Sequence, residues 1–356
     1  MRSAYRSNRE VIAYIAVLTA SLMLPVILLV IGPAPRQDVY RVNEESGPMA
    51  SMGREIYERH EPIDFLFFGA SIIRAAIVPG LIERELRVET GKNLVTVVCG
   101  PNWQGLDTQY VILHDFLTHR RVKYLFLNLP ASSGVAWSNK PHIALYRMLR
   151  LGDIPGFTSG LSPVHRAQVY AAEILGAPRQ LLSLARPDLA GEDEVTLLDR
   201  SRQTPGPLIG YHGAAPVSDN RQPPLLPGEK MIYDESSDAG WFRFSGEPPG
   251  DYQLNMLAKI AALASEHGTR IVVLNIPIDA DKGNPFVVER MDWSKLLATH
   301  VTLVGIPAAV LFQQVSGGDF YHFYVDQHLN LNGRRYFTKA IIPALKRLLE
   351  NGDGTK

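Results

Sequence analysis

The run Ile63-Asp64-Phe65-Leu66-Phe67-Phe68 constrains this chain more than any other segment. It reads as a short apolar strand, stops at Gly69-Ala70-Ser71, and gives way to helical periodicity over Ile72–Val88. Pro79-Gly80 interrupts that periodicity, so a turn and a second helix are expected there. The rhythm then repeats. Leu94–Val98 is strand-like and ends at Cys99-Gly100-Pro101, Leu106–Leu117 is helix-like, and Tyr124–Leu127 is a strand ending in Asn128-Leu129-Pro130. Further on, Tyr252–His267 reads as an amphipathic helix and Ile271–Leu274 as a strand ending in Asn275-Ile276-Pro277. Met291–Thr299 reads as a helix, Val301–Val304 as a strand, and about Gly333–Leu349 as a last amphipathic helix. Strands alternating with helices in this way predict an α/β fold with a parallel sheet and right-handed crossovers.

Between about residues 131 and 250 the rhythm breaks, and the chain becomes rich in Pro, Gly and charged residues. One helical stretch stands out at Arg166–Leu184, while Pro205–Gly228 and Ser236–Gly250 read as loops. This region is expected to be an insertion over the active edge of the sheet, because long loops in compact domains tend to be lids or binding surfaces. The domain itself is expected over residues 62–350, preceded by a polar linker at 34–61.

The N-terminus sets the expected location. Val11–Ile31 is an uncharged stretch of 21 residues, preceded by Arg2, Arg6 and Arg9 and followed by Gly32-Pro33. That matches the roughly 20 residues that span a bilayer, whereas a signal-peptide core runs only about 7–15 and ends in a small-residue cleavage site. Residues 1–33 are therefore expected to be a single-pass anchor in the cytoplasmic membrane, embedded through residues 11–32. The three arginines place the N-terminus inside and everything after Pro33 on the periplasmic or outer side.

Composition removes several function classes. Lys+Arg and Asp+Glu both number 36, a balance without the basic excess that marks a nucleic-acid binder. The densest basic cluster, His119-Arg120-Arg121 with Lys123, reads as a solvated turn. Cys99 is the only cysteine, so no intrachain disulfide and no Cys-rich zinc site can form; it reads as a buried small hydrophobe. No His-Glu-x-x-His helix is present, and no metal or nucleotide cofactor is implied.

In an open parallel sheet, function collects beyond the carboxyl ends of the strands. Ser71 follows the first strand, Gly100 and Asn102 follow the second, and Asn128 and Asn275 end later ones. Near the other end of the chain, Phe323-Tyr324-Val325-Asp326-Gln327-His328-Leu329-Asn330 leads into the final helix. Serine, imidazole and carboxylate are the parts of an activated hydroxyl nucleophile: His328 can take the Ser71 proton, and Asp326 can orient the imidazole. Oxyanion donors are the Ser71 N–H, the Gly100 N–H, and a side-chain amide from Asn102 or Asn128. Each residue also has a plain structural role open to it. Ser71 could be only an N-cap, Asp326 and His328 a loop ion pair, Asn330 or Asn332 the cap of the last helix, and Asn128 and Asn275 strand terminators.

Gly69-Ala70-Ser71, Gly100, and Asp326-Gln327-His328-Leu329-Asn330 with Gly333 together resemble the SGNH (GDSL-like) hydrolase superfamily. They resemble above all its membrane-anchored bacterial branch, the DltD-like and alginate-acetylation-type proteins of envelope acyl transfer. The resemblance covers about residues 62–130 and 250–350 and implies a flavodoxin-like three-layer parallel sheet. The chain departs from the hydrolases in reading Gly-Ala-Ser-Ile for the usual Gly-Asp-Ser-Leu, in placing the acid two residues before the histidine rather than three, and in lacking a clear Gly-x-Asn-Asp. The resemblance implies a membrane-anchored serine acyltransferase or esterase, with acetyl the first candidate acyl group, that acts on a cell-envelope glycan and receives its acyl group through a membrane-bound O-acyltransferase partner. Two rivals are carried: a general esterase or lipase, and a non-catalytic scaffold of a polysaccharide export complex. Trp103, Trp137 and Trp241 lie near loops that could line a glycan groove.

Overall fold

The structure is a computed structural model that describes residues 7–31, 49–101, 105–128, 251–278, 301–305 and 328–353. It also describes residues 37, 40, 232–234, 297, 324–325 and most of 162–171. Its centre is a sheet of strands β1 (Ile63–Phe68), β2 (Thr96–Cys99), β3 (Val122–Leu127), β4 (Ile232–Asp234), β5 (Arg270–Asn275) and β6 (Thr302–Gly305), in the order β2-β1-β3-β5-β6-β4. Every pairing is parallel except that of the edge strand β4, which runs antiparallel to β6. With β4 set aside, the parallel strands follow the flavodoxin-like order, whose reversal point lies between β1 and β3.

Successive side chains of each strand go to opposite faces, as the strand period of two requires. Leu66 and Phe68 of β1, Val97 and Cys99 of β2, and Leu125 and Leu127 of β3 enter one core. Phe65, Phe67, Val98, Tyr124 and Phe126 enter the other. Phe67 stacks on Phe126 with ring centroids 4.4 Å apart. A six-residue run that is apolar at every position but Asp64 suits a strand buried on both faces, and both faces are covered. One is covered by helices α2 (Met49–Tyr57), α5 (Leu106–His119) and α6 (Asp251–Glu266). The other is covered by α3 (Ser71–Ala76), α4 (Pro79–Thr90) and α7 (Leu331–Asp353).

The break expected at Pro79-Gly80 is present: α3 stops at Ala76, and Pro79 opens α4 at a position where its missing N–H costs nothing. Three expectations need correction. The segment 34–61 is not a polar linker throughout. Met49, Met52 and Ile56 of α2 are fully buried, and Tyr40 is buried too, donating its hydroxyl to Asp115 Oδ2 at 2.7 Å. Met49, Met52 and Ile56 lie at positions i, i+3 and i+7, a helical stripe hidden among polar residues. The basic cluster is not simply solvated: Arg120 is buried, and its guanidinium donates to the backbone carbonyls of Glu55 and Glu61. It ties α2 to the start of β1, because the Glu55 carbonyl lies in the last turn of that helix and the Glu61 carbonyl just before the strand. Third, the 131–250 region is not purely a covering insertion, since it supplies the edge strand β4 and the fully buried Val169.

α1 (Asn8–Ile31) is one continuous helix that runs through Pro25, and Ile12, Ile15, Val17 and Leu22 on it are exposed. The side chains of Pro25, Val26 and residues 28–31 lie outside the described residues. Among the described residues, no helix is long and apolar enough to cross a membrane. The expectation of a span rests on the stretch Val11–Ile31 alone.

Because α2 is part of the core, Met52→Ala is expected to destabilise the domain by about 2–5 kcal/mol. Urea denaturation measures this, and a shift near zero would return α2 to the status of a linker.

Candidate active site

β1 ends at Phe68, and the backbone there is tied to both neighbours: Gly69 N–H donates to Cys99 O at 3.1 Å and Asn128 N–H to Phe68 O at 2.9 Å. The chain then turns into α3. Two glycines make this crowding possible. A Cβ on Gly69 would lie 2.9 Å from the Cβ of Asn128, and one on Gly100 would lie 2.8 Å from Ala70 O and 2.9 Å from the Cβ of Arg74. Gly100 thus lets the end of β2 lie against the start of α3, where Ser71 sits.

Ser71 does not cap this helix. Ala70 occupies the cap position and makes no side-chain cap bond, so Ser71 is the first helical residue. Its hydroxyl is used elsewhere: Ser71 Oγ lies 2.9 Å from His328 Nε2, with both residues buried at 8% and 5% exposure. This is hydrogen-bond distance between a hydroxyl and an imidazole 257 residues away along the chain.

His328 is carried by a small hairpin, β7 (Tyr324–Val325) paired with β8 (His328–Leu329), in which Val325 opposes His328. The hairpin is held down by Tyr324, whose hydroxyl donates to Pro277 O at 2.9 Å beyond the end of β5, and by Leu329 in the core. Asn330 then caps α7, its Oδ1 accepting the N–H groups of Asn332 and Gly333 at 3.0 Å each. The cap fixes the direction in which the chain leaves His328.

Asn128 is buried, and its Nδ2 donates to Leu274 O at 3.2 Å, which staples the end of β3 to that of β5. The side-chain orientation follows from this partner, because the opposite flip would set two oxygens against each other. One Nδ2 hydrogen is committed to that staple. The terminator role open to Asn128 in the sequence is therefore real. Cys99 is buried, and loss of solvation raises its thiol well above the usual range, as suits a small hydrophobe at the end of β2.

Of the residues singled out in the sequence, Ser71 and His328 are brought into contact, and Gly100 is packed against the backbone next to Ser71. Asp326, Asn102, Trp103, Trp137 and Trp241 lie outside the described residues. Among the described residues, no cluster of three or more His, Cys, Asp or Glu could hold a metal ion. Sequence reading missed Arg334 and Thr338, which bond the far end of α3. The available signal was a cation and a hydroxyl on the same helical stripe as Phe337, Ile341 and Leu345. Compared with family models and with curated proteins, the chain matches none.

The tight seat of Gly100 gives a direct check. Gly100→Ala must displace α3, and it is expected to destabilise the fold by about 1–3 kcal/mol. A crystal structure of the variant should show the Ser71 Oγ to His328 Nε2 separation opened past hydrogen-bond range, and an unchanged separation would refute this account of the glycine.

Proposed function

We propose that the protein is a serine acyltransferase or esterase in which Ser71 is the nucleophile and His328 the general base. The observation that carries this reading is the 2.9 Å contact between Ser71 Oγ and His328 Nε2. A hydroxyl is a weak nucleophile until a base removes its proton, and a neutral imidazole at this distance can do so. The position supports the same reading, since Ser71 follows β1 at the reversal point of the sheet, where open α/β folds collect their ligands.

The chemistry follows from the atoms in place. Nε2 accepts the Ser71 proton as Oγ attacks the acyl carbon, and the imidazolium returns that proton to the leaving group. An acyl-serine results. An acceptor hydroxyl or water then repeats the cycle, with His328 as base toward the incoming oxygen. Asp326 is assigned to orient the imidazole through Nδ1. The backbone N–H groups of Ser71 and Gly100, with Asn102 or the second Nδ2 hydrogen of Asn128, are assigned to the oxyanion.

The resemblance to the envelope branch of the SGNH hydrolases and the uncharged stretch Val11–Ile31 together support a narrower form of the reading. In that form the enzyme is anchored in the cytoplasmic membrane, faces the periplasm or exterior, and transfers an acyl group, acetyl first among the candidates, to a cell-envelope glycan. A membrane-bound O-acyltransferase would supply the donor. A non-catalytic scaffold would have no need to keep a serine and an imidazole at bonding distance, so the contact counts against that rival.

The test is hydrolysis of p-nitrophenyl acetate by the full chain in detergent, with and without an oligosaccharide acceptor. Ser71→Ala and His328→Ala should each lower the rate by about 10³-fold or more, and Asp326→Asn should lower it substantially. Acetylated oligosaccharide would mark a transferase. A wild-type rate no higher than that of the variants, together with no fluorophosphonate adduct on Ser71, would sink the proposal.

A further inference from the structure

Ser71 and His328 are brought together by two pieces of structure too small to hold themselves. α3 has six residues, and the β7–β8 hairpin pairs two residues on each side. Isolated helices shorter than about 12 residues and lone two-stranded hairpins are marginal in water. What joins the two pieces is α7. At its start, the Asn330 cap links it to His328 through a single intervening residue, Leu329.

Further along α7, two side chains one turn apart hold the other end of α3. Arg334 Nε donates to Ile77 O at 2.8 Å, and a second guanidinium nitrogen donates to the same oxygen. Thr338 Oγ1 donates to Ala76 O at 3.1 Å and accepts the N–H of Val78 at 3.0 Å. Between them they satisfy two carbonyls that the C-terminal end of α3 leaves open, and the N–H of Val78 at the cap of α4. A closed ring results. It runs from Ser71 along α3 to Arg334 and Thr338, back along α7 to Asn330 and His328, and across the 2.9 Å contact to Ser71.

We propose that Arg334 and Thr338 are positioning residues that set the Ser71–His328 separation from the far end of α3, about 9 Å from the hydroxyl along the helix axis. The inference rests on the reading of Ser71 as a nucleophile. Neither residue touches a substrate; each acts by fixing where the serine helix ends relative to the helix that carries the base.

The nature of Arg334 argues for this role over simple packing. It is buried, and loss of solvation followed by the nearby positive charge of Arg74 pushes its pKa down to about 10. It is therefore still a cation at neutral pH, held where an apolar side chain would be accommodated more easily. Arg334 brings a planar group that fixes the position of the Ile77 carbonyl with two donors, which methionine of similar length cannot do.

The test compares Arg334→Met, Thr338→Val, Arg334→Lys and the exposed-neighbour control Arg335→Met in the full chain in detergent. The first readout is fluorophosphonate labelling of Ser71, with saturation separating the maximal labelling rate from probe binding. A misplacement of about 1 Å can cost about 10²-fold in rate. Arg334→Met should accordingly lower the maximal rate by about 10- to 100-fold, with probe binding within about 3-fold of wild type. Thr338→Val should fall less, Arg334→Lys should recover part of the loss, and Arg335→Met should match wild type.

The second readout needs no reaction: the ring NMR signals of His328, assigned by their loss in His328→Ala. In Arg334→Met they should move toward the spectrum of Ser71→Ala while circular dichroism still reports a folded chain. Labelling of Arg334→Met within about 3-fold of wild type, or a rate loss accounted for by the fraction unfolded, would overturn the proposal. So would unmoved His328 signals. If wild type itself is not labelled, the nucleophile reading fails, and the His328 signals alone decide whether Arg334 positions the pair.

Discussion

The parallel ladder around β1 is the constraint on which the rest depends. β1 is hydrogen-bonded on both edges, to β2 and to β3, and its side chains are buried on both faces. No side of it is left for water, so its sequence must be apolar at almost every position and helices must cover both layers. The ladder also ends abruptly. Where β1, β2 and β3 stop together, the polar groups that follow them are brought within a few residues of one another.

Much of this was legible in the sequence because both signals are local. A continuous apolar run identifies a doubly buried strand, and a Gly-Ala-Ser ending followed by helical periodicity identifies a strand-to-helix turn. The register of the elements was accordingly close: Tyr252–His267 was expected where α6 spans Asp251–Glu266. The contact of Ser71 with His328 was anticipated from chain position and residue chemistry, since both fall at the same edge of such a sheet.

What the sequence concealed was a sparse stripe and a set of non-local partners. Met49, Met52 and Ile56 lie in a stretch of average polarity, and only their spacing shows that they share a face. Arg120 belongs to a run of charges that looks solvated, yet its partners are backbone carbonyls 59 and 65 residues away. The stripe that holds Arg334 and Thr338 was legible, but their partners were not, since nothing near them in sequence indicates that they meet the end of a helix more than 250 residues earlier. Composition and periodicity report burial. They do not report which buried polar group meets which.

The separation of Ser71 and His328 along the chain has a consequence in time. Synthesis proceeds from the N-terminus, so the serine emerges while the imidazole and the helix that seats it remain to be made. Only when α7 packs against α4 and grips α3 does the hydroxyl gain its partner. A chain stalled or misfolded short of its last helix carries the serine without the imidazole seated beside it. Completion of the fold is thus what brings the hydroxyl and the imidazole together.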